Sequence, residues 1–334
     1  MRVSKLKSMR NEYLSRRPHR SFKRTYRRDY VRSMDIPGYV AFTVYVLSTL
    51  KRHAKTFAGL VLFSAVATGL LSGISSQETF TTLADTLQET GQGLFEGGSG
   101  ELQKAGLLVF TAATGGISAQ PSEAQQIFGA LVGIITWLGT VWLLRAFLAG
   151  SKPRLRDALY NSGAPIVSSI IVFFLFMLQL VPAAIAIIGY SAAISTTFIT
   201  SGVMGMLLAI VGFLLIVLSV YLVTSTFFAL VIITLPGMYP WQALRTSGDL
   251  VVGRRFRLLL RLAWMVVFVA VAWAFVLLPV VLFATWLQTT WEQTAFVPIV
   301  PFSLLVMTSL SSVFVSAYVY LLYRKVVDDD ATPA

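Results

Sequence analysis

The side chains with which proteins usually do chemistry are sparse in this chain, and their positions narrow what they can do. Histidine occurs only as His19 and His53, both set among lysines and arginines, and cysteine is absent. Acyl-transfer catalysis needs a base poised beside a nucleophile, and a metal centre needs several His, Cys or acidic ligands drawn together. Two histidines in basic segments supply neither, so an incidental polar role is the reading for both. No catalytic, metal-binding or cofactor-binding residue is expected. With no cysteine there is no disulfide framework, and the redox compartment is not legible. Between Asp157 and Arg245 there is no Asp, Glu, His, Lys or Arg at all. Ion-coupled transporters hold their cargo with ionisable groups near mid-membrane, and this stretch offers none.

The remaining charged chemistry is positive. Phe22, Tyr26 and Tyr30 recur every fourth residue, interleaved with Lys23, Arg24, Arg27, Arg28 and Arg32. As a helix this would form an aromatic stripe flanked by cations, suited to an anionic leaflet, where each Lys or Arg contributes about 1 kcal/mol. Arg-rich aromatic peptides also bind RNA. Because the segment is tethered to a membrane region, membrane lipid or another membrane protein ranks ahead of nucleic acid as partner. Arg254, Arg255 and Arg257 are expected to meet anionic headgroups, and Arg145 and Arg261 to snorkel from span ends towards lipid phosphates. Asp249, four residues after Arg245, is placed to pair with it on one helical turn.

These residues must be positioned by elements that live in lipid. Hydrophobic residues make up 56% of the chain and charged residues 13%, and the mean hydropathy is +0.73, beyond the balance of a soluble domain. Charge-free apolar runs long enough to cross a bilayer predict six helices: Phe57–Ile74, Ile127–Leu148, Ile166–Tyr190, Met204–Thr234, Leu262–Leu287 and Phe296–Tyr323. The fold class is therefore an all-α polytopic membrane bundle of about six spans. It divides into a basic cytosolic segment at 1–35, a six-span membrane domain at 36–325 and a short acidic cytosolic tail at 326–334. No cleaved signal is expected, since the first span lies far behind the basic head. Pro182, Pro279, Pro298 and Pro301 read as ordinary kinks, with freed carbonyls for a ligand as the alternative.

Orientation follows from the cations. Of the 27 Lys and Arg, 15 lie within residues 1–55, and all the others except Lys104 fall in segments on the same side. The loop at 75–126 carries Glu78, Asp85, Glu89, Glu96, Glu101 and Glu123. The positive-inside bias then puts both termini in the cytosol of a multi-pass plasma (inner) membrane protein. Residues 106–121 of that loop are mildly apolar but too short and Gly-rich for a clean crossing, and read as a surface or re-entrant helix.

Each odd-numbered span is preceded by a segment whose apolar residues recur at helical spacing, as an interfacial elbow helix requires. The first has Tyr39, Phe42, Val46, Leu47 and Leu50. The third has Trp241, Leu244, Gly248 and Val251 on an expected apolar face, with Gln242, Arg245 and Asp249 opposite. The second, KPRLRDALYNSG, is less regular, but DALYNSG at 157–163 aligns with QALRTSG at 242–248. Three elbow-plus-hairpin units, or three helices alike only because each enters a bilayer obliquely, both fit.

Residues 236–264, PGMYPWQALRTSGDLVVGRRFRLLLRLAW, carry a pattern built on Ala243, Leu244, Ser247, Leu250, Val251 and Gly253 ahead of a long apolar run. This resembles the membrane domain joined to some glycerophosphodiester phosphodiesterases, and the related YciC-type inner-membrane proteins of unknown activity. The resemblance extends loosely over 36–325 and implies the same elbow-and-hairpin layout. It carries no chemistry across, because the phosphodiesterase activity of the fused enzymes belongs to a separate soluble barrel, and the basic head departs from the family pattern. The functional expectation is a non-enzymatic integral membrane protein acting in envelope organisation, as a partner of other membrane proteins, or in lipid homeostasis. A permease or lipid-translocating protein is the alternative, and an intramembrane lipid enzyme is disfavoured by the missing acid/base cluster. A polar cavity closed to one side would point to transport, and a packed bundle with an apolar outer groove to lipid or partner binding.

Overall fold

A computed structural model describes residues 36–71, 123–195, 202–290 and 299–331. All regular structure among them is helical: α1 Tyr39–Arg52, α2 Ala54–Leu71, α3 Glu123–Leu148, α4 Leu155–Ser162, α5 Ile166–Ser195, α6 Gly202–Ile232, α7 Pro240–Val251, α8 Arg255–Thr290 and α9 Ile299–Ala331. The six long ones, α2, α3, α5, α6, α8 and α9, are long and apolar enough to cross a membrane. In lipid a helix is the only open segment that pairs its own amides, so each apolar run takes that form. Helix α9 runs on to Ala331, so the acidic end of the chain begins as a continuation of the last span.

The three short helices α1, α4 and α7 each lead into an odd-numbered span, as the periodicity predicts, and they share a register. The fourth and eighth residues are buried in all three: Phe42 and Val46 in α1, Ala158 and Ser162 in α4, Ala243 and Ser247 in α7. Ser162 and Ser247 both donate to the carbonyl three residues back, Leu159 and Leu244, each at 2.8 Å. Positions four apart face the same way on a helix, so each elbow presents one stripe to the bundle. The chain turns into α4 and α7 through Gly150 and Gly237, with φ of 80° and 78°, a left-handed conformation that favours glycine. Asp157 then accepts a hydrogen bond from the Arg154 amide at 3.0 Å, closing the first turn of α4.

In α7 the apolar face expected from the sequence packs in part: Val251 is buried and Leu244 lies against the core. The stripe against the bundle is Ala243, Ser247 and Val251, while Trp241 is 79% exposed. Small residues let the backbone of an oblique helix approach its neighbours closely, and a tryptophan on that stripe would hold it away. Gln242, Arg245 and Asp249 are exposed, as expected.

Helix α9 is the hub. It packs against α1, α2, α3, α6 and α8, and half of its membrane window is buried, as is that of α3. The α5–α6 hairpin pairs mainly with itself and turns much of its apolar surface outward, while Phe228 to Ile232 at the end of α6 enter the core. Hydroxyls and indoles stitch helix pairs in the apolar interior. Thr136 donates to Ser64 at 3.1 Å between α3 and α2, and Trp273 to Ser311 at 2.7 Å between α8 and α9. Thr226 donates to the Gln179 side-chain oxygen at 2.6 Å between α6 and α5.

Pro182 sits inside α5 and disturbs its hydrogen-bond ladder. The next amide, that of Ala183, donates across to Ser219 Oγ on α6 at 3.0 Å, and Ser219 is buried. That amide is thereby satisfied by the partner helix. Ser219→Ala is expected to lower the unfolding free energy in mild detergent by about 0.6–2 kcal/mol, followed by circular dichroism. Ser225→Ala, which removes only a local bond to the Leu222 carbonyl, should cost less; equal losses would contradict the cross-helix role.

Candidate functional site

Alternation of the spans gathers the three elbows, the starts of α2, α5 and α8 and the ends of α3, α6 and α9 at one end of the bundle. Every Lys and Arg among the described residues belongs to these junctions; Arg255, Arg324 and Lys325 are half-buried, and the others fall into two classes.

The first class is turned inward. Arg261, two turns into α8, donates through Nη2 to the carbonyls of Pro37 at 2.7 Å and Ile36 at 3.2 Å. Its guanidinium lies over the rings of Tyr39 and Phe42, at 5.1 and 5.8 Å. Phe42 meets Tyr318 of α9 edge-on at 4.9 Å, and Trp264 donates to Thr43 at 3.1 Å, so the first elbow is clamped to α8 and α9. Arg145, in the last turn of α3, donates through both amino groups to Thr234, to its carbonyl at 3.0 Å and its hydroxyl at 2.6 Å. Arg254 is 3% exposed and reaches the Val326 carbonyl of α9 at 3.5 Å.

Snorkelling by Arg145 and Arg261 to lipid phosphates is therefore not what the structure shows. Helix ends leave carbonyls without intrahelical partners, and a forked guanidinium satisfies two acceptors at once. In a low-dielectric junction that pairing is stronger than reaching out past the bundle. The partners lie 224 residues away for Arg261 and 89 for Arg145. No local spacing encodes them, which is why sequence reasoning missed both ties.

The second class faces outward. Lys51, Arg52 and Lys55 at the α1–α2 joint, Lys152, Arg154 and Arg156 around α4, Arg245 on α7 and Arg257 at the start of α8 are all exposed. Arg255 is intermediate: its guanidinium stacks 3.9 Å above Tyr221 and donates to the Tyr221 carbonyl at 3.3 Å. Of the cluster singled out in the sequence, Arg254 is thus drawn inside, Arg255 is held flat against α6, and Arg257 is free of the bundle surface. Phe22, Lys23, Arg24, Tyr26, Arg27, Arg28 and Tyr30 lie outside the described residues. His53 stacks on Phe147 at 3.8 Å with an interplanar angle of 15°, a packing contact at the joint between the first elbow and its span.

Beside this end opens the second feature, a groove of about 670 Å³ between α2 and α9. Its floor on α2 includes Ala54, Ala58, Ala65 and Gly69, and its other wall includes Leu305 and Leu310 of α9. The lining is apolar except at the basic end, where Lys51 borders it. Among the described residues there is no group of three or more His, Cys, Asp or Glu placed to hold a metal ion. Compared with known proteins, the chain matches no family, no curated sequence and no solved structure.

The inward arginines generate a direct expectation. Arg145→Lys keeps the charge but loses the fork on Thr234, and should lower stability in detergent by about 1–3 kcal/mol in thermal or denaturant unfolding. Arg257→Lys, exposed, should leave it unchanged. Equal tolerance of the two substitutions would show that the Arg145 tie contributes nothing.

Proposed function

We propose that the protein is a non-enzymatic integral protein of the plasma (inner) membrane that works in lipid homeostasis and envelope organisation, gripping the anionic cytosolic leaflet with its basic end. The observation that carries this reading is the division of the cations: those needed for the fold are turned inward, and eight others stand exposed on or beside the three elbows at one end. Exposed Lys and Arg at the level of the headgroups attract anionic lipid at about 1 kcal/mol each. Twelve more precede the first elbow in residues 1–35, including the Phe22, Tyr26, Tyr30 stripe and its flanking cations. Both termini then belong in the cytosol, in keeping with the positive-inside bias. Kinship with the phosphodiesterase-associated and YciC-type membrane proteins, from the pattern at 236–264, is part of the same proposal.

The test is purification of the full chain in mild detergent, with mass spectrometry of the lipids and proteins that remain. Anionic phospholipid enriched over its share of the whole membrane extract is the expected result, with or without a stoichiometric protein partner. Lipids in bulk proportion, together with a retained polar small molecule, would contradict the reading and favour a permease.

A further inference from the structure

The groove between α2 and α9 differs from the other apolar surfaces of the bundle. The outward faces of α5 and α6 carry exposed apolar side chains, among them Phe174, Ile188, Phe213 and Leu214. The groove is instead a concavity of about 670 Å³ between two helices, within the range of about 300–1,000 Å³ typical of ligand sites. On α2 it is lined from Ala54 to Leu70, about 24 Å at the rise of an α-helix, and on α9 from Phe302 to Val313, about 17 Å.

Its two ends are unlike. At the end near Leu70 and Phe302 the lining carries no charge. At the other end Lys51 borders it, Arg52 and Lys55 are exposed within one turn, and residues 36–71 contain no Asp or Glu to neutralise them. An occupant must therefore be apolar along its length and negative at one end. A floor of small residues four apart, Ala54 with Ala58 and Ala65 with Gly69, admits a helix as well as a chain, so it is the charge at the mouth that singles out an anionic lipid.

We propose that this groove binds one acyl chain of an anionic phospholipid from the leaflet at the basic end, with Lys51 at the headgroup phosphate. A chain from one leaflet covers about half the hydrocarbon depth, which places it along Phe57, Ala58 and Leu62 of α2, facing Leu310 and Val313 of α9. Apolar matter gains nothing from leaving lipid for an apolar wall. Retention must come from close packing on the alanine floor and from the charge at the mouth, so the site selects by shape and headgroup together. The inference rests on the proposed grip of an anionic leaflet, but it concerns one site rather than the whole basic end.

The test uses the full chain in nanodiscs and two probes with identical chains, each bearing a diazirine at its tip: a phosphatidylglycerol and a phosphatidylcholine. After irradiation, adducts are mapped by peptide mass spectrometry. Phosphatidylglycerol adducts should concentrate on the lining of α2 and α9 over the outward face of α8 around Val266 and Phe275. Ala58→Trp, which fills the floor, should cut groove labelling at least fivefold, while Val266→Trp should leave it unchanged. Lys51→Gln should lower phosphatidylglycerol labelling towards that of phosphatidylcholine.

Adducts spread evenly over groove and outward faces would overturn the proposal. So would groove labelling by both lipids alike, or a groove closed to both probes because another part of the chain or a second protein fills it. If anionic lipid still co-purifies in excess while the groove is unlabelled, this site is refuted and the broader reading stands. If neither headgroup is preferred anywhere, the broader reading fails with it.

Discussion

A carbonyl at the end of a membrane helix has no partner within its own helix, and a cation carried into the same layer has no water to lean on. At the basic end of this protein each solves the other's problem. Arg261 on α8 holds the carbonyls of Ile36 and Pro37 ahead of the first elbow, Arg145 joins α3 to Thr234 just past α6, and Arg254, in the turn before α8, reaches the Val326 carbonyl on α9. Each tie is long in sequence and sits where several helices must converge.

That arrangement also explains why the surface charge looks as it does. With the inward arginines committed to helix ends, the exposed cations are left to the elbows, where they ring the end of the bundle without opposing the fold. The apolar half of the design is complementary. The α5–α6 hairpin presents a broad outward surface suited to lipid, with its one backbone disturbance at Pro182 answered by Ser219, whereas α2 and α9 leave a concavity with a charged mouth. The proposed grip of headgroups and the proposed site for a chain meet at Lys51.

Much of the fold was legible because it rests on local pattern. Charge-free runs of bilayer length announce the six long helices, and helical spacing announces the elbows. The match of DALYNSG with QALRTSG reflects a real equivalence: Ala158 and Ala243, and Ser162 and Ser247, occupy the same places in their helices and the same buried environment. The first elbow shares that register through Phe42 and Val46, which no residue identity would disclose, since burial of a position does not require one side chain. On α7 the expected Val251 and Leu244 do pack, but Ala243 and Ser247 take the place of Trp241, because close helix approach ranks small residues above the larger and more hydrophobic one. Arg145 and Arg261 were misjudged because their acceptors are distant backbone atoms. The groove is a relation between two helices far apart in the chain and has no sequence signature.

The account turns on which side of the membrane the basic end faces, and the absence of native cysteine makes that directly measurable. Single cysteines at Glu89→Cys and Glu292→Cys should react with an impermeant thiol reagent added to intact cells. Ser151→Cys, at the approach to α4, and Thr246→Cys, on the exposed side of α7, should react only after the membrane is opened, because carrying the Lys and Arg of all three elbows outward opposes the bias that governs insertion. Labelling of Ser151→Cys but not of Glu89→Cys in intact cells would contradict the account, turning the exposed cations and the mouth of the groove away from the anionic cytosolic leaflet.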